Sequence, residues 1–186
     1  MKKAIITLCS LLVAAGAFAQ GTVLFQNRVT GTLDAPVTVA GGALATGPQY
    51  VAQLLAGPSA AALAPIGSPL AFRTGAAAGF FTGGALTVDS IPAQSVGFFQ
   101  VVAWDTTVGA TYAAAVASGL GGVGQSAVFQ NKTGGGVPPL PAEILVGGAN
   151  GSPVFAAFSI PGVIPEPSVL ALGVIGGLAL LMRRRK

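Results

Sequence analysis

The sequence contains no histidine and a single cysteine, and only 8% of its 186 residues are charged. Each shortage removes a class of chemistry. Without histidine there is no Ser-His-Asp relay, no Cys-His pair, and none of the common zinc or copper ligand sets. Cys9 lies in an apolar stretch near the N-terminus. Once that stretch is removed, the chain has no thiol nucleophile, no iron–sulfur ligand and no disulfide. The expectation is therefore no catalytic residue, no metal and no cofactor. Charge is scarcer than the total suggests, because six of the nine basic residues sit at the extreme ends: Lys2, Lys3, Arg183, Arg184, Arg185 and Lys186. Between them, Arg28, Arg73 and Lys132 stand against Asp34, Asp89, Asp105, Glu143 and Glu166, leaving a nearly neutral body. A nucleic-acid surface needs clustered Lys and Arg to displace counterions, and three scattered cations exclude it.

What is abundant is apolar surface, at 52% of residues, with 28 glycines and 13 prolines. Such a chain can bury a core, so disorder is not expected, and turns must be frequent.

The two ends read as targeting segments. Residues 1–19 have the three parts of a secretory signal: Lys2 and Lys3, then the apolar run Ala4 to Gly16, then the small residues Ala17 and Ala19 flanking Phe18. Cleavage after Ala19 by signal peptidase would start the mature chain at Gln20. At the other end, Pro165-Glu166-Pro167-Ser168 precedes an uncharged run from Val169 to Met182 and the cluster Arg183–Lys186. Fourteen helical residues span about 21 Å, short of the roughly 30 Å hydrocarbon core, and snorkelling arginines recover part of the deficit. The reading is a marginal single transmembrane helix. Its cationic end stays in the cytoplasm and the body lies outside.

The tripeptide Pro165-Glu166-Pro167, the short apolar helix and the terminal basic cluster together resemble the PEP-CTERM sorting signal. The resemblance covers residues 165–186. It implies export in a Gram-negative-type bacterium, transient residence in the inner membrane, and recognition by an exosortase, a multi-pass membrane peptidase. It also implies release or attachment at the cell surface or extracellular matrix. The tail is shared by unrelated bodies, so the resemblance does not assign the body a role.

The body, residues 20–162, alternates short apolar runs with Gly, Pro, Asn and Asp, which predicts an all-β domain of β-sandwich or jelly-roll type. Strands are expected at 22–28, 36–39, 50–55, 70–73, 79–82, 85–89, 97–105, 125–131, 142–146 and 154–160. A hairpin turn is expected at Gly83-Gly84 and a short helix over 110–118. The run 97–105 is apolar on both parities, as in a strand buried on both faces. Phe25, Phe72, Phe80, Phe98, Val102, Trp104, Phe129, Phe155 and Phe158 are the expected core, and residues 134–141 a loop.

Three weaker chemistries remain. Asp34, Asp89, Asp105 and Glu143 could form a glycosidase-like carboxylate pair, but each stands alone in sequence. Asn131-Lys132-Thr133 and Asn150-Gly151-Ser152 match a glycosylation triplet, although Asn150-Gly151 reads better as a turn. Trp104, with Tyr50 and Tyr112, could form a platform for a sugar ring, whereas its parity with Phe98 and Val102 favours the core. The leading expectation is a non-enzymatic exported surface or matrix protein. The alternative is a carbohydrate-binding module whose partner is extracellular polysaccharide.

Overall fold

The computed structural model describes residues 20–164. The expected signal peptide, with Ala17 and Ala19, and the sorting segment 165–186 lie outside the described residues. Within them the chain is all-β, built from several open sheets and a short helix. The strands are β1 (Gln20–Gln26), β2 (Arg28–Val29), β3 (Leu33–Asp34), β4 (Val37–Val39), β5 (Gly47–Gly57) and β6 (Ala64–Phe72). They continue with β7 (Thr82–Pro92), β8 (Val96–Asp105), β9 (Val123–Gln125), β10 (Phe129–Lys132), β11 (Glu143–Ile144) and β12 (Phe158–Ile160). Helix α1 (Tyr112–Ser118) lies between β8 and β9. No helix among the described residues is long and apolar enough to cross a membrane.

One sheet has the order β11-β1-β7 and a larger one β10-β8-β5-β6, with β9 extending the β8 edge; β12-β4 and β2-β3 are two-stranded. Strand β1 alternates strictly, so Val23 and Phe25 point into the core while Thr22 and Leu24 stay half-exposed. The main core collects Val23, Phe25 and Val88 from the first sheet and Leu54, Phe99, Val101 and Phe129 from the second. Phe25, Phe72 and Phe81 pack ring to ring, as do Phe99, Phe129 and Phe155. Strand β8 is buried on both parities only from Val101 to Asp105; earlier in the strand the even positions Phe98 and Gln100 are half-buried, short of the expectation for 97–105. Its odd residues Phe99, Val101 and Ala103 face the main core. Its even residues Val102 and Trp104 face a second, smaller cluster with Val108 and Ala115.

Several boundaries differ from expectation for identifiable reasons. Gly83-Gly84 is no hairpin turn; both residues lie inside β7, where the β1 pairing jumps from Gln26↔Thr82 to Leu24↔Ala85. A side chain at Gly83 would stand 2.7 Å from both the Phe25 carbonyl oxygen and Leu70. The glycine permits close approach of a neighbouring strand rather than a reversal. The expected strand at 79–82 is absent, because Gly79 and Phe81 spend their backbone groups on Val37, Ala45 and Asn27. The run 125–131 is split by Ser126, whose hydroxyl accepts from the Val101 amide at 3.0 Å. Strand β6 extends well before Leu70, through Pro65 and Pro69, which a sheet tolerates because β6 is its edge. Among the expected core residues, Phe98 and Phe158 are only half-buried, whereas Phe81 and Phe99, not expected, are fully buried.

Candidate functional site

The two faces of β8 determine what the surface can offer. Trp104 projects to the face opposite the main core. There α1 closes over it: Tyr112 lies 6.0 Å away ring to ring, and the indole N–H donates to the Gly109 carbonyl at 3.0 Å. The helix forms here because Thr111 caps it, its hydroxyl accepting from the Ala114 amide, and Gly119 ends it at φ 68°. Trp104 is 0% exposed. It therefore offers no platform to a sugar ring, and the polar tip that such a site would use is already bound.

The carboxylates are equally occupied or dispersed. Asp105, at the end of β8, is 3% exposed. Its Oδ1 accepts from both the backbone N–H and the hydroxyl of Thr107 (2.8 and 2.6 Å), and its Oδ2 accepts from Gln49 (2.8 Å). Burial pushes its pKa up, but the Thr107 and Gln49 bonds outweigh it and the net shift is downward. A carboxylate held in this way clamps a turn. Asp34, Asp89 and Glu143 stand on β3, β7 and β11. No group of three or more metal-ligating side chains occurs among the described residues.

Of the two glycosylation triplets, Asn131 is buried, donating to Lys132 and Ile144 carbonyls and accepting from the Gly147 amide, so the folded chain withholds it. Asn150 occupies a tight turn at φ 51° followed by Gly151 at φ 74°, the turn its sequence suggests. A concavity of about 390 Å³ is lined by Arg28–Asp34 alone. It is the interior of the β2–β3 hairpin, and the Arg28 guanidinium lies 4.7 Å over the Phe80 ring beside it.

Toward Phe98 the Trp104 face of β8 becomes half-exposed, and glutamines line it; Val102 is still buried in the smaller cluster, and Tyr112 of α1 reaches as far as Gln125. Register places Gln53, Val102 and Gln125 in one row across β5, β8 and β9. Leu55 and Gln100 form the next row, and Gly57, Phe98 and Gln130 the one after. Gln53, Gln100 and Gln130 are half-buried and Gln125 is exposed. Each spends one amide atom on the fold. Gln53 and Gln100 donate to the carbonyls of Gly67 and Ser126, both at 2.9 Å. Gln125 accepts from the Tyr112 hydroxyl at 2.8 Å and Gln130 from the Asn150 amide at 3.0 Å. Reasoning from sequence missed this constellation. The signal was present as parity, since Gln53 alternates with Ala52 and Leu54, and Gln100 with Phe99 and Val101, but only the strand register brings the rows together.

The chain matches no family model, no curated protein and no solved structure.

Proposed function

We propose that the chain is a non-enzymatic, exported surface or matrix protein whose body is delivered by its two ends. Signal peptidase would remove residues 1–19. The segment 165–186 would hold the chain briefly in the inner membrane, with Arg183–Lys186 in the cytoplasm, until an exosortase-type peptidase acts near Pro165-Glu166-Pro167. The observation that carries this reading is the pair of end segments: Lys2 and Lys3, an apolar run and Ala17-Phe18-Ala19 at one end, and Pro165-Glu166-Pro167, an uncharged run and Arg183–Lys186 at the other. Among the described residues the strands lie between Gln20 and Ile160, and the Ile164 amide donates to the Leu120 carbonyl at 2.6 Å. The tripeptide follows at once. Cleavage at either place would remove none of the strands found among the described residues. We also infer that the two larger sheets face each other as a sandwich, since one core draws on both.

The test is fractionation in the native host of the chain carrying a tag in the exposed hairpin loop 30–32. Unaltered chain should reach the surface or medium without its tail. The triple variant P165A/E166A/P167A should insert but remain in the membrane fraction. Equal release of both forms would leave an ordinary anchor, or a nonspecific clip, as the better account.

A further inference from the structure

We propose that the glutamine-lined half of the β8 face binds an uncharged polysaccharide. The inference rests on the exported-matrix reading only for where the protein meets such a polymer; the site itself is argued from its chemistry. From Phe98 to the row where Gln53 and Gln125 flank the buried Val102, the glutamine rows span about 13 Å at roughly 3.3 Å per residue, the scale of a short oligosaccharide. With one amide atom of each glutamine bonded within the fold, the Oε1 acceptors of Gln53 and Gln100 and the Nε2 donors of Gln125 and Gln130 are left for a ligand. Sugar hydroxyls donate and accept at once and match a mixed row of this kind. Phe98, half-buried at the end of the rows, offers an apolar surface for the C–H face of a ring. The amides are held before any ligand arrives, which lowers the ordering cost of binding.

Charge and apolarity select the occupant. The three rows carry no carboxylate, ammonium or guanidinium, and Lys132 stands beyond them at the Val96 position. An anionic polymer would need clustered cations, which the face lacks. A protein partner would need a desolvated apolar centre with aromatic anchors, where this face instead places amides.

Binding should be measured with the full chain in a zwitterionic detergent, immobilised through a tag in the 30–32 loop. The probes are laminarin, dextran and hydroxyethyl cellulose as uncharged polymers and alginate as the anionic one. At least one uncharged polymer should bind and alginate should not. The variant Q53L/Q100L gives up the bonds to Gly67 and Ser126 and should melt somewhat lower, but it should stay folded at the temperature of the assay and bind the polymer about tenfold more weakly, the scale of losing one or two net hydrogen bonds. Should Q53L/Q100L fail to fold, Q125A/Q130A is the replacement, with the same expectation. The proposal is overturned if no uncharged polymer binds, if alginate binds best, or if the folded variant binds as well as the parent chain. Release in the host reads the sorting reading separately. A chain that is released but binds no glucan defeats only this proposal, and one that binds but is never released defeats only the other.

Discussion

Asp105 shows how little a residue's identity says about its use. In the sequence it is one of four isolated carboxylates in the body and a conceivable catalytic partner; in the fold it is nearly sealed from solvent and accepts three hydrogen bonds. The sign of its pH dependence follows. Because its folded-state pKa is lowered, ionised Asp105 contributes stability above the unfolded-state value of about 3.9, and that contribution disappears as pH falls through the lower folded value. Melting temperatures of the parent chain and Asp105→Asn, followed from pH 6 down to pH 2, should therefore differ most at the upper end and converge in acid. A gap that stays constant over the range would show that the charge contributes nothing. Asn27 teaches the same lesson. It falls inside the strand expected at 22–28, yet its side-chain amide donates to Ala35 and Gly79 and its oxygen accepts from the Phe81 amide, joining segments up to 54 residues apart. Sequence could not reveal the role of Asn27 or the Gln49 bond of Asp105, because these depend on groups brought together only by the fold, whereas the two Thr107 bonds are local.

Elements were legible where local chemistry decides them. The alanine-rich run with Thr111 before it and Gly119 after it is the helix expected over 110–118, observed at Tyr112–Ser118. Seven residues cannot sustain a helix alone, so α1 depends on its cap and on packing Ala115 against the Trp104 cluster. Thr111→Ala should cost about 1 kcal/mol, measurable by chemical denaturation, whereas Thr111→Ser should cost little. Equal losses in both would mean that the hydroxyl does not cap. Elements failed to be legible where tertiary position overrides local preference. Two prolines hide β6, because sequence cannot say that the strand is an edge. Gly83-Gly84 mimics a hairpin signal because a glycine needed for close approach looks like one needed for a turn.

For the molecule as a whole, the all-β class and the double-sided burial of the second half of β8 could be read from patterning. The open glutamine rows could not, because they require the register of four strands. The arrangement leaves the larger sheet between two apolar clusters of unequal size. Trp104→Ala empties the smaller one and removes the bond to Gly109, so it should destabilise the chain by about 3–5 kcal/mol, read by circular dichroism during denaturation. A loss within experimental scatter would mean that the α1 cover contributes nothing to folding. The same geometry has an optical consequence. Trp104 is the chain's single tryptophan, it is fully buried, and Tyr112 lies 6.0 Å away. Excited at the red edge, where phenylalanine and tyrosine are silent, the protein emits from the smaller cluster alone. Its spectrum should be blue-shifted when α1 is closed and should redden as soon as that cover lifts, even while every phenylalanine of the main core remains packed. Fluorescence and circular dichroism recorded on one sample would thus time the opening of one face of the sheet against the loss of the whole.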